Sequence, residues 1–120
     1  MSGGTRHWPV EIRLKKAEKI LEMDYDDGQS FSLPAEYLRV ESPSAEVQGH
    51  GGDDRKIVPG CRHVGILELE PVGNYAVRII FDDGHDTGLF VWDYLRDLGE
   101  NQEARFHSYL DELAAKGLAR

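Results

Sequence analysis

The residue types able to hold a soft metal or activate a nucleophile gather in the middle of this chain. Cys61 and His63 lie two apart, a spacing that puts both side chains on one side of a strand. His85 follows an Asp-Asp-Gly turn, and His50 sits in a Gly-rich stretch ahead of Cys61. One Cys and three His make a zinc-type donor set when all four converge. Spacing does not supply that convergence, and a lone Cys at a strand start ordinarily serves as a small core filler. Asp24, Asp26 and Asp27, with Asp82, Asp83 and Asp86, offer oxygen ligands to a hard cation. They lack calcium-loop spacing, and Asp-Gly is the ordinary chemistry of a hairpin. Gln48-Gly49-His50-Gly51-Gly52 lacks the Lys and Ser/Thr of a phosphate loop, and Asp53 and Asp54 behind it repel an anion. Ser42, Ser44, Cys61 and Asp86 are parts of a nucleophilic site without a nucleophile elbow. No catalytic residue is assigned. Phe90, Trp92 and Tyr94 recur at every second position before a short helix; core packing explains most of such a set, and an exposed member would anchor a partner protein.

The elements that must position these residues follow from periodicity and turn chemistry. Val10, Ile12 and Leu14 alternate with charged residues and predict a half-buried strand. Lys19 to Tyr25 is a second strand, Asp26-Asp27-Gly28 a hairpin turn, and Gln29 to Leu33 a third strand. Pro34 suits the first turn of a helix over 35–40, where its missing N–H costs nothing. Residues 42–60 predict a long polar loop. Strands over 63–70, 74–81 and 85–89 follow, then a helix over 91–98 stopped by Gly99. The last helix opens at Asn101, carries Phe106, Tyr109, Leu110, Leu113 and Ala114 on one face, and ends at Lys116-Gly117.

Two segments are copies. Tyr25-Asp26-Asp27-Gly28 is echoed by Phe81-Asp82-Asp83-Gly84, 56 residues on. Glu36-Tyr37-Leu38-Arg39 is echoed by Asp93-Tyr94-Leu95-Arg96, 57 residues on. The expected fold is α+β, a small mainly antiparallel β domain. About six strands come from two pseudo-repeated strand–turn–strand–helix units, followed by a C-terminal helix. Residues 1–7 read as a disordered N-terminus, 8–99 as the domain and 100–120 as the amphipathic helix.

With 120 residues the chain makes one domain, and its 40% hydrophobic content is that of an ordinary globular protein. A formal charge of −8 argues against nucleic-acid binding, which needs clustered Lys and Arg. One Cys permits no intramolecular disulfide, no run is apolar enough to span a membrane, and Met1 to Trp8 lacks a secretory signal. The expected location is the cytoplasm. The apolar face of the last helix packs either on the core or on a second copy, which leaves a homodimer open.

Several motifs together resemble a known family. They are Trp8-Pro9, Leu33-Pro34-Ala35-Glu36-Tyr37-Leu38-Arg39, Ser42-Pro43-Ser44-Ala45-Glu46, Glu70-Pro71-Val72-Gly73-Asn74-Tyr75, Phe81 to Gly88, and Trp92-Asp93-Tyr94-Leu95. Over residues 8 to 99 the chain resembles the DUF971 family, the γ-butyrobetaine-hydroxylase-like N-terminal domain. The resemblance implies either a small domain ahead of an Fe(II)/2-oxoglutarate dioxygenase barrel or a stand-alone bacterial protein, sometimes joined to an iron–sulfur carrier ATPase. In the dioxygenases this domain holds zinc through three Cys and one His, and His85 best matches that His. The three-Cys cluster and the catalytic barrel have no counterpart here. The resemblance therefore implies a non-catalytic accessory or interaction module, linked to iron–sulfur or metallo-enzyme maturation. Its implied partners are such an ATPase or a dioxygenase. The alternative is zinc or iron binding through His85 with Cys61, His63 or His50.

Overall fold

The structure is a computed structural model and describes residues 7–43 and 57–120. Two three-stranded antiparallel sheets carry the chain. The first orders β1 (Pro9–Lys15), β2 (Ile20–Tyr25) and β3 (Ser30–Pro34), and feeds α1 (Ala35–Val40). The second orders β4 (Ile66–Val72), β5 (Ala76–Phe81) and β6 (Leu89–Val91), and feeds α2 (Trp92–Glu100). The C-terminal helix α3 (Gln102–Ala115) follows.

The repeat extends to fine detail. In each unit the first strand bulges at its second residue: Val10, between Pro9 and Glu11, and Leu67, between Ile66 and Glu68. Each Asp-Asp-Gly turn closes the same way. Gly28 N–H donates to Tyr25 O (3.1 Å), Tyr25 N–H to Gln29 O (2.8 Å), and Gly28 takes φ 88°. Gly84 N–H donates to Phe81 O (3.3 Å), Phe81 N–H to His85 O (3.0 Å), and Gly84 takes φ 92°. Only the glycine needs positive φ. The Asp before it contributes its side chain, accepting the N–H two residues on: Gln29 to Asp27 Oδ1 (3.2 Å), His85 to Asp83 Oδ1 (3.1 Å).

One core draws on both sheets and all three helices, with Met23, Leu33, Leu38, Ile79, Phe90, Leu95, Leu98 and Tyr109 among its members. The inward positions are the apolar half of each alternation, Leu21, Met23 and Tyr25 on β2 and Val77, Ile79 and Phe81 on β5. The face of α3 turned inward carries Tyr109 and Leu113, so the C-terminal helix packs on the core.

Four local expectations are corrected. The fourth strand begins at Ile66, because Cys61 to Val64 form a turn closed by Val64 N–H on Cys61 O (3.1 Å). The sixth strand, expected over 85–89, is Leu89–Val91 and shares only Leu89 with that span. The second-unit helix runs through Gly99 to Glu100, and Gly99 is there for space: a Cβ on it would lie 2.5 Å from Phe31 Cγ. Asn101 does not cap α3 with its side chain; its Nδ2 turns back to Asp97 O (3.0 Å) and Oδ1 (2.8 Å).

Candidate functional site

The two units are joined by crossed contacts between the copied motifs. Tyr37 on α1 donates its hydroxyl to Leu98 O near the end of α2 (2.7 Å), and Tyr94 on α2 donates to Glu41 O at the end of α1 (2.5 Å). The last carbonyls of a helix lack intrahelical partners, so each unit's tyrosine satisfies the other's helix end. The arginines cross as well. Arg96 reaches back to the first turn, with Nη1 on Asp27 Oδ1 (3.0 Å) and Nη2 on Oδ2 (2.7 Å). Arg39 reaches forward to the second turn, with Nε on Asp83 Oδ2 (2.8 Å). The Arg96 guanidinium holds the Asp27 carboxyl down at about 2. These acidic turns are thus structural, although His7, Asp26 and Asp27 bring ligating atoms within 4.8 Å of one another.

The described members of the sequence-predicted metal set do not form a cluster. Cys61 is buried, and burial pushes its thiol up. His63 is exposed, and its carbonyl accepts Lys19 Nζ (2.8 Å). The expected shared side fails because the pair lies on a turn. His85 is buried with Nε2 2.9 Å from Ser42 Oγ. Cys61, His63 and His85 form no group of three ligating atoms within 4.8 Å among the described residues. His50, Ser44 and most of the predicted 42–60 loop lie outside the described residues. A structural metal site needs four converging donors, and Cys61, His63 and His85 do not by themselves supply them.

The aromatic set belongs to the core. Phe90 is fully buried, and Trp92 is buried with Nε1 donating to Asn74 O (2.9 Å). Tyr94 is half-buried at the crossed contact. Among the apolar groups that face water are their neighbours Leu89 (41% exposed), Val91 (39%) and Tyr75 (47%), besides Leu67 on β4 and Trp8 and Val10 at the start of the first unit.

Leu89 and Val91 lie at one face of the second sheet. Register puts Leu89 beside Arg78 and Glu70, and Val91 beside Ala76 and Val72, across β6, β5 and β4. The corresponding outer face of the first sheet carries a network of charges, with Ile20, Ser30 and Ser32 beside it. Arg13 meets Glu11 (3.0 Å), Glu22 (3.0 Å) and Asp24 (2.9 Å), and Lys15 meets Glu22 (3.2 Å). In the second sheet Val72 stands where the first has Lys15, Ile80 where it has Asp24, and Leu89 where it has Ser32. Arg78–Glu70 is the remaining ion pair on that face among the described residues. This surface was within reach of the sequence. Aligning the outward positions of the two copies, rather than their turns, exposes the exchange.

No helix among the described residues is long and apolar enough to cross a membrane.

Comparison with curated proteins gives no match. Two proteins solved in solution by NMR are similar to this chain at TM-score 0.84. One is 48% identical, over 95% of this chain and 90% of that one; the other is 43% identical, over 100% and 89%. A crystal structure of a protein of unknown function from Acidithiobacillus ferrooxidans, assigned to the DUF971 family, is 44% identical at TM-score 0.64. That match covers 76% of this chain and 91% of the other. The family profile described as gamma-butyrobetaine hydroxylase-like, N-terminal, matches residues 12–96. With that span and those identities, the chain belongs to the γ-butyrobetaine hydroxylase-like N-terminal (DUF971) family.

Proposed function

We propose that the chain is a non-catalytic interaction module that docks a protein partner on the outer face of its second sheet. The observation that carries this reading is the exchange of charge for apolar side chains on that face relative to the first sheet. An apolar patch rimmed by polar residues is the usual mark of a protein contact. Arg78 and Glu70 at its edge would set register rather than supply most of the affinity. The reactive groups support the same reading, because they are engaged elsewhere. Asp27 and Asp83 hold arginines, His85 holds Ser42, and the Cys61 thiol is buried in its unreactive form. The family resemblance directs the search to iron–sulfur or metallo-enzyme maturation, with an iron–sulfur carrier ATPase or a dioxygenase as the partner class.

Site-directed photo-crosslinking in cells tests the reading. A crosslinker at Val91 should trap a discrete partner, one at Glu22 on the charged face should not, and Leu89→Lys with Val91→Lys should abolish the product. Such surface changes should alter stability by no more than about 0.5 kcal/mol. Equal capture from both faces, or none from either, would sink it.

A further inference from the structure

The last residues form a strap. Gly117 turns the chain at φ 67°, and Leu118 N–H donates to Leu113 O (2.8 Å). Gly60 N–H donates to Ala119 O (3.1 Å). Arg120 then reaches Glu36 on α1, with Nε on Oε2 (3.0 Å) and Nη2 on Oε1 (2.6 Å), and its guanidinium lies 5.4 Å from the Phe106 ring centre. The Glu36 side chain is 8% exposed and that of Arg120 is 37% exposed. Beside the pair an open groove of about 780 Å³ runs between α1 and α3, with Tyr37, Phe106 and Leu110 along it and Glu103 and His107 at its rim. Its size is that of a ligand site, roughly 300–1,000 Å³.

A buried carboxylate beside an aromatic face is a seat for a guanidinium, which it engages by a two-point charged hydrogen bond and a ring contact. When Arg120 leaves, Glu36 opens onto the groove as a carboxylate without its cation, free to take the same two-point bond from another guanidinium. Glu103 on the rim has no ion pair among the described residues. The groove without its strap therefore carries two carboxylates over an apolar floor, complementary to a basic segment with an adjoining apolar residue.

We infer that the α1–α3 groove docks an arginine-bearing extended segment of a partner protein, and that Arg120 holds the site in cis until the partner displaces it. Its lining residues are not those of the outer face of the second sheet, so the inference stands apart from the preceding reading. Tethering gives the strap an effective concentration in the millimolar range, so a free segment competes poorly while the strap is seated.

The probe is the peptide acetyl-Leu-Ala-Arg-amide, titrated into the full-length isotope-labelled chain while the amide signals of Phe106, Leu110 and Gly60 are followed. Arg120→Ala should bind it about ten-fold more tightly than wild type. Adding Glu36→Gln should abolish binding, and acetyl-Leu-Ala-Gln-amide should not bind. No saturable shift in Arg120→Ala overturns the proposal, as does equal affinity for the Gln peptide or after Glu36→Gln. Should Arg120→Ala not fold, wild type is titrated to about 20 mM, a concentration that competes with the tether. Movement of the Gly60 amide is then the expected result, and an unmoved Gly60 overturns the proposal.

Discussion

Arg96 and Arg39 occupy matching places in the two crossed joints and are treated very differently. Arg96 bonds Asp27 twice, bonds Glu100 (2.6 Å), and lies over the rings of both Tyr25 (5.2 Å) and Phe31 (5.4 Å). Arg39 has its one bond to Asp83, and its Nη1 is buried without a partner among the described residues. The difference traces to three substitutions between the copies. Gly88 stands where the first unit has Phe31, Pro43 where the second has Glu100, and His85 where the first has Gln29. Packing is inverted to match. Phe31 fills the space over Gly99, whereas Gly88 leaves room for Ser42 Oγ, which would lie 2.3 Å from a Cβ there and instead meets His85. One joint is saturated and holds the two units together. The other keeps an orphan donor, which costs free energy, so its residues are not the choice that stability alone would make.

The largest effect expected is alkaline unfolding, and it weights the saturated joint. Burial raises the phenols of Tyr25, Tyr37 and Tyr109 from 10, that of Tyr109 to about 12 and the other two further. Because they ionise later in the folded than in the unfolded chain, their contribution is complete below pH 10 and is lost as pH rises through 12. Thermal melts across that window should fall steeply. Tyr25→Phe should flatten the fall and make the first turn resemble the second, which carries Phe81. An unchanged slope would remove Tyr25 from the account.

Next in size are the arginines. Arg96→Met should lower the urea-unfolding midpoint more than Arg39→Met, since it removes both bonds to Asp27, the bond to Glu100 and the contacts with the Tyr25 and Phe31 rings. Arg39→Met should cost about 1 kcal/mol or less, because it also removes the orphan donor. Equal losses would break the comparison.

The smallest is the size exchange. Gly99→Ala should destabilise by about 2 kcal/mol, overpacking against Phe31 outweighing the better helix former. Combining it with Phe31→Ala should recover about 1 kcal/mol relative to additivity. Gly88→Ala should cost less, because Ser42 Oγ is a movable end, and Ser42→Ala should relieve it. Additive behaviour in both pairs would show that the contacts are not what sets these glycines.

Much of the scaffold was legible in the sequence, for local reasons. Strand alternation reflects burial of one face, and an Asp-Asp-Gly turn needs a residue at positive φ whatever surrounds it. The acidic–Tyr–Leu–Arg echo likewise located both short helices. The candidate site was less legible. Cys61 and His63 share a side only if they lie on a strand, and the turn over 61–64 decides otherwise. Phe90 and Leu89 are adjacent and apolar, yet which one faces water depends on the register against Val77 and Arg78.

The amino-acid sequence by itself determined two related units, their turns and their inward faces. All of these follow from backbone preference and from periods of 2.0 and 3.6 residues. Only the tertiary structure decided that the units hold each other crosswise, Arg39 to a turn 44 residues ahead and Arg96 to one 69 residues behind. It also decided that Arg120 rests on Glu36. The physical reason is that an ion pair or a helix-end carbonyl takes any donor that packing brings within reach, and no periodicity along the chain records which one that is.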